Sequence, residues 1–237
     1  MDSIKMPKYF ITAIGTDIGK TFVTAAIANE FRKAKLPIRV LKPILTGWIA
    51  EQENMDARVL ARACGLKDTS ENWNEISPLR FSAPLAPSMA AEQENKILTF
   101  AEIVEKCQLW LEKSPDKNCL NLIEGIGGVM TPLTDKHTVL DLIKELSLPV
   151  VLVTGTYLGS LSHCLSAIKV LQHEQIFIEL IIINETFDSI GLQATKKALD
   201  QQTSIPNVTI PRQKDSNDWQ NLSLNFADTL RRNIARL

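Results

Sequence analysis

The residues Gly15-Thr16-Asp17-Ile18-Gly19-Lys20-Thr21 place small side chains ahead of a lysine and a hydroxyl, where a helical pattern begins. Backbone N–H groups in such a turn can curl around phosphate oxygens, and a helix N-terminus adds its positive end. In this spacing Lys20 reaches the β- and γ-phosphates of a nucleotide, and the Thr21 hydroxyl ligands Mg²⁺. The usual pattern carries one more glycine, five residues before Gly19, where Ile14 stands. A Gly-Lys-Thr triplet also opens ordinary helices. Its position between a β-rich run and an amphipathic helix favours phosphate binding.

A second group surrounds Glu124, which closes the apolar run Leu120-Asn121-Leu122-Ile123 and leads into Gly125-Ile126-Gly127-Gly128. Alone, such an acid is a solvated rim residue as readily as a ligand. Opposite a phosphate-binding loop, it stands where nucleotide hydrolases keep an acid that organises Mg²⁺ and water. Lys42 ends Ile38-Arg39-Val40-Leu41, Thr46-Gly47 follow, and Asp56 opens the next helical pattern. Taken singly, Lys42 reads as a snorkelling surface lysine and Asp56 as a carboxylate complementing a helix dipole. Convergence changes that reading. In an open parallel sheet the strand carboxyl ends face one crevice, and the loop, Lys42, Glu124, Thr154-Gly155 and Asn184 all fall at such ends.

The elements that would position these residues are legible as alternation. Brief apolar runs at Lys8–Ala13, Ile38–Lys42, Leu120–Glu124, Val150–Thr154, Glu179–Asn184 and Asn207–Ile210 predict strands buried on both faces. Helical spacing predicts Lys20–Lys35, Asp56–Ala63, Thr99–Lys113, Thr138–Leu146, Ser160–Glu174, Ile190–Gln201 and Leu222–Ala235. The segment Glu71–Ala91, with Pro78, Pro84 and Pro87, carries little pattern and reads as a long loop of the kind that often binds ligand. The expected fold class is α/β: a single-domain parallel sheet flanked by helices, P-loop NTPase-like, over residues 1–237.

Composition narrows the function. Lys+Arg 26 against Asp+Glu 27 gives no basic excess for nucleic acid. The cysteines Cys64, Cys107, Cys119 and Cys164 are far apart, which argues against a zinc site and fits free thiols in a reducing compartment. Charges near the N-terminus and the shortness of the apolar runs predict a cytoplasmic protein without signal peptide or membrane span. His137, His163 and His173 have no cysteine or carboxylate at ligand spacing and read as structural. The C-terminal stretch with Arg231, Arg232 and Arg236 reads as a closing helix rather than a membrane-surface one.

From about residue 8 to residue 212 the chain resembles the dethiobiotin synthetases. The resemblance rests on several ordered blocks. They are Tyr9-Phe10-Ile11-Thr12 through Gly19-Lys20-Thr21; Leu41-Lys42-Pro43 to Thr46-Gly47; Asn54-Met55-Asp56-Ala57; Glu124-Gly125-Ile126-Gly127-Gly128 with Thr131-Pro132-Leu133; and Leu158-Gly159 with His163. It implies an ATP- and Mg²⁺-dependent ligase of biotin biosynthesis. ATP, CO₂ and 7,8-diaminononanoate would give dethiobiotin, ADP and phosphate. By the same resemblance Lys20 and Thr16 hold the phosphates, and Thr21, Asp56 and Glu124 organise Mg²⁺. Lys42 stabilises a carbamate, so that Lys42, Lys20 and Thr16 form the catalytic set. Thr46 and the Gly127 turn meet the diamine, and Asn184 with Pro211 contacts adenine. The family is dimeric, with the substrate carboxylate received at Gly159, Ser160 and Ser162 of the partner subunit. Ser162 stands where the family carries asparagine, Tyr157 where it carries a basic residue, and Ala13-Ile14-Gly15-Thr16 departs from the usual Gly-Thr-Asp-Thr. Other readings are a related P-loop amide- or cyclo-ligase and a MinD/ParA-like ATPase switch. The first would want a glutamine-hydrolysing domain, and the second a further lysine early in the loop, where Gly15 stands.

Overall fold

Strands β5 (Leu120–Glu124) and β6 (Val150–Thr154) are buried at every residue, as covering on both faces requires. They lie in the middle of a six-stranded sheet ordered β2-β5-β1-β6-β7-β8, with all neighbours parallel. The other members are β1 (Lys8–Ala13), β2 (Ile38–Leu41), β7 (Ile178–Asn184) and β8 (Asn207–Ile210). The computed structural model describes residues 8–114, 118–215, 217–226 and 228.

Two-residue alternation along β1 divides the interior. Tyr9 and Ile11 face one core, which they share with Val23, Ile27 and Phe31 of α1 (Lys20–Lys33), Leu60 of α2 (Asp56–Ala63), Trp219 and Phe226. Phe10 faces the other, with Ile103 of α5 (Phe100–Glu112), Ile143 of α6 (Val139–Leu146) and Ile168 of α7 (Ser160–His173). Sheet and helices therefore form three layers, and every strand delivers its carboxyl end to one edge. No helix among the described residues is long and apolar enough to cross a membrane.

Helix ends follow local chemistry. The Thr99 side chain accepts from the Glu102 N–H at 3.1 Å, and Thr138 with Asp141 forms a complete capping box. Helix α8 runs Leu192–Gln202 and starts after Gly191, whose φ of 114° no other residue type adopts easily; Ile190 lies outside it.

The predicted loop Glu71–Ala91 is a correction. It holds α3 (Ser70–Ile76), β4 (Leu79–Phe81) and α4 (Pro87–Gln93), and β4 pairs in parallel with β3 (Ile44–Thr46) as a separate two-stranded sheet. At three residues per strand and seven per helix, these elements are too short to show a period. The C-terminal helix also differs. A 3₁₀ turn spans Asp218–Asn221, residues 222–225 are not helical, and Leu224 N–H donates to Glu30 at 2.7 Å. Most of the predicted Leu222–Ala235 helix, with Arg231, Arg232 and Arg236, lies outside the described residues.

Candidate active site

The connection from β1 to α1 turns through two left-handed residues, Asp17 (φ 58°) and Gly19 (φ 89°). Glycine is required at the second. A Cβ there would come within 2.3 Å of Asn184 Nδ2, which donates to the Ile18 carbonyl at 2.9 Å. Asn184 at the end of β7 thus braces the loop from two strands away, across β6. Lys20 is buried and donates to the Gly15 carbonyl at 3.2 Å, so its ammonium lies inside the curl of its own loop. Burial, with the Lys42 ammonium nearby, pulls its pKa down to about 8.

Beneath the loop, four residues from four elements meet. Lys42, just past β2, donates to Glu124 Oε1 at 2.7 Å, to Asp56 Oδ2, and to Thr21 Oγ1 at 3.4 Å. Thr21 in turn donates to Glu124 Oε1 at 2.6 Å. The Lys42 and Glu124 side chains are 5% and 0% exposed, so neither is the rim residue it could have been. Burial opposes the Lys42 charge, but Asp56 and Glu124 outweigh it and hold the ammonium well above the usual lysine range. Burial likewise opposes ionisation of Asp56, and Lys42 overcomes it, keeping the carboxyl below the usual range. The Lys42 backbone is fixed as well, its N–H donating to the Ile76 carbonyl at 2.7 Å.

The glycine turn after β5 closes against the phosphate loop. Val129 N–H donates to the Ala13 carbonyl at 3.0 Å, and a Cβ on Gly128 would stand 3.0 Å from Gly15 N and 3.1 Å from Ile14 C. Gly127, at φ 61°, leaves room for Thr131, whose Oγ1 accepts from Gly128 N–H at 2.7 Å. Thr131 was visible in sequence only as part of the Thr-Pro-Leu block; here it locks the turn.

Other sequence candidates lie around this centre. Gly15 and Thr16 line two adjoining cavities of about 490 and 540 Å³, and both cavities also reach His163. His163 was expected to be structural, yet it is exposed and its Nδ1 lies 2.7 Å from the Tyr157 hydroxyl. A helical stripe of apolar neighbours hid it, since it projects from the other face of α7. Gly159 caps α7 at φ 99° and Ser162 is exposed, while Ser160 Oγ is buried without a partner. Thr46 ends β3, and Pro211 is exposed just past β8. No hydrogen bond joins Thr46, Ser160, Ser162 or Pro211 to the Lys42 cluster among the described residues.

The donors fit a hard divalent cation. Glu124 Oε2 is buried with no hydrogen-bond partner, next to the Thr21 hydroxyl and the Asp56 carboxylate. Among the described residues no group of three or more His, Cys, Asp or Glu is placed to hold a metal. Two carboxylates and a hydroxyl suit Mg²⁺, which is held by one or two carboxylates together with substrate phosphates.

A protein-family model described as an AAA domain matches residues 7–219. The chain is 39% identical over 211 residues to the ATP-dependent dethiobiotin synthetase BioD of Caulobacter vibrioides, covering 87% of this chain and 93% of that one. It is 32% identical over 228 residues to the protein of the same name from Nitrosopumilus maritimus, covering 93% and 94%. Among solved structures, the MinC:MinD cell division complex of Aquifex aeolicus contains a chain that superposes with a TM-score of 0.55 at 13% identity, covering 97% of this chain and 96% of that one. That likeness is one of fold.

Proposed function

This chain belongs to the ATP-dependent dethiobiotin synthetase family, and from that premise we propose that it joins CO₂ to 7,8-diaminononanoate and closes the ureido ring at the expense of ATP. The observation that carries this reading is the buried Lys42, bridging Asp56 and Glu124 directly under the phosphate loop. Phosphate anchoring already has Lys20. Lys42 is held in place by Asp56 and Glu124, and if those carboxylates turn to Mg²⁺ its ammonium is left to meet another anion.

One amine of the substrate adds to CO₂ and loses a proton, giving a carbamate. The carbamate oxygen attacks the γ-phosphorus and ADP leaves. The second amine then attacks the carbonyl of the mixed anhydride and expels phosphate. Carbamate and γ-phosphate are both anions, and two unit charges about 4 Å apart repel by roughly 4 kcal/mol at an effective dielectric near 20. Lys42 offsets that repulsion, while Lys20, Thr16 and the loop N–H groups hold the phosphates in line. Thr21, Asp56 and Glu124 would hold Mg²⁺, which draws charge from the phosphate oxygens when bound. Asn184 and Pro211 border the adenine. Thr46 and Gly127 face the diamine, and Gly159, Ser160 and Ser162 receive the carboxylate of the partner's substrate, so that the working unit is a cytoplasmic homodimer of single-domain chains. Catalysis here is positioning and electrostatics, with no covalent enzyme intermediate.

Incubation with ATP, Mg²⁺, bicarbonate and 7,8-diaminononanoate, followed by mass detection, tests the reading. Dethiobiotin in equal amount to ADP is the expected result. ATP hydrolysis that ignores the diamine and rises with lipid or DNA would replace this reading by an ATPase switch.

A further inference from the structure

The 47–55 connector runs from Thr46, at the end of β3, to Asp56, the first residue of α2. None of its residues lies in a helix or strand, yet both of its ends carry candidate ligands. What holds it is a stack of half-buried side chains from α2, α3, β4 and the connector itself, whose two tryptophans also pack against the core. The Arg80 guanidinium lies 4.8 Å from the centre of the Trp48 ring. Trp48 meets Trp73 edge to face, centroids 5.7 Å apart, and Arg58 covers Trp73 at 4.8 Å.

Each member is fixed in turn. Asp68 accepts from Arg58 Nη2 at 2.7 Å and from Trp73 Nε1 at 2.6 Å, which ties the cation and the ring to one carboxylate. Arg80 donates to the Trp73 and Ser77 carbonyls at 2.8 and 2.7 Å. Arg58 also donates to the Ala50 carbonyl at 2.9 Å, gripping the connector itself. Trp48 N–H donates to the Phe81 carbonyl at 2.9 Å, which sets the connector's first residues on β4. Arg58 stands two residues after Asp56 on α2, so any movement of the stack moves the start of that helix.

We propose that this cation–ring–ring–cation stack, with Trp48 and Asp68 as its positioning residues, sets the placement of Asp56 for Mg²⁺ and of Thr46 for substrate. The inference rests on the metal and substrate roles given above. Cation–ring and ring–ring contacts of this kind are individually weak and favour one arrangement of the segment that carries them. The stack lies at the margin of the fully buried core, so it can bias the connector without deciding whether the chain folds. Disturbing the support of a metal ligand typically weakens metal affinity about 10–100-fold.

The test measures how Mg²⁺ strengthens binding of a fluorescent ATP analogue in the full chain. Trp48→Ala should raise the Mg²⁺ midpoint about 10–100-fold. Analogue affinity in EDTA should stay at the wild-type value, because the phosphate loop is untouched. Trp48→Phe, which keeps a ring between Arg80 and Trp73, should restore most of the loss. Asp68→Asn provides the same test at an exposed position if Trp48→Ala does not fold. An unmoved midpoint in a folded Trp48→Ala or Asp68→Asn variant overturns the proposal. Wild-type binding that ignores Mg²⁺ would overturn it together with the metal reading. A wild-type chain that binds Mg²⁺ with nucleotide yet makes no dethiobiotin would overturn only the reaction.

Discussion

The phosphate loop and the 47–55 connector deliver ligands to the same crevice, and they are built differently. The loop is shaped by main chain. Left-handed turns at Asp17 and Gly19, the approach of Gly128 to Gly15, and the Asn184 bond to Ile18 leave it little freedom. The connector is held by side chains: Arg58 and Arg80 reach it from outside, and its own Trp48 lies between Arg80 and Trp73. Backbone-shaped sites tolerate almost no added atom, because the neighbour in contact is itself main chain. Sites held by stacked side chains respond in degrees.

If that contrast is right, changes at the loop and the buried cluster should be nearly all-or-none. Lys20→Ala should lower kcat on the order of 10²–10³-fold while the far-ultraviolet circular dichroism stays wild-type. Near-normal turnover in the folded variant would remove the loop from the chemistry. Lys42→Gln should likewise stop diamine-dependent phosphate release while leaving ATP bound. It should also lower unfolding free energy by about 3–5 kcal/mol, since Glu124 would remain buried without its ion partner. Denaturant unfolding together with ATP titration separates the two effects. If ATP affinity falls in step with turnover, Lys42 is a nucleotide ligand and has no carbamate to serve.

Gly128→Ala probes the packing of loop on loop with one methyl group. At 3.0 Å from Gly15 N the new carbon meets backbone that cannot swing aside, so a loss of about 1–3 kcal/mol is expected. Nucleotide affinity should weaken with it. Stability and affinity both unchanged would mean the two loops slide freely, and the contrast with the connector would collapse.

The smallest expected effect is a proton. In the nucleotide-free protein Lys20 has a pKa lowered to about 8, so above that pH it is largely neutral, and bound phosphates should restore its charge. Nucleotide binding near pH 8.5 should therefore take up a fraction of a proton, and near pH 6.5 almost none from this group. Calorimetry in buffers of different ionisation enthalpy reads the difference directly. For folding, the depressed pKa means the unfolded chain binds the proton more tightly, so this group's contribution to stability rises between about pH 8 and the ordinary lysine range. No uptake at the higher pH would show that Lys20 is already charged in its loop.

What could be read from the residues alone follows the same division. Strands β1, β5 and β6 have the predicted bounds because nearly continuous burial leaves a mostly apolar run, and β8 has them too although only its last residue, Ile210, is buried. The approach of the phosphate loop, Lys42 and Glu124 to one another was legible as well, since parallel strands point all their ends one way; Asp56, at the start of a helix, was placed with them only by the family resemblance. The Arg58–Trp73–Trp48–Arg80 stack was not. Its members sit in α2, α3, the connector and β4, and three of those four carry no periodic signal. Only the pairing of β3 with β4 brings them to one surface. The exposure of His163 beside two cavities was not legible for a related reason: apolar neighbours along a helix say which face is buried, not what the opposite face overlooks.

The order of the strands has a further consequence, for the behaviour of this protein at high concentration. The sheet ends on β2 and β8, which at four residues each are its shortest strands. A bare strand edge is a template on which another copy can add. Beside β2, Arg39 is turned across the Trp110 ring at 4.3 Å and hydrogen-bonded to the Trp110 carbonyl. Past its end, the Lys42 N–H is already taken by Ile76. The contact that fixes the Lys42 backbone thus also withdraws a hydrogen-bond donor from the sheet's open margin, so the same short stretch of chain helps keep the protein from polymerising through its edge.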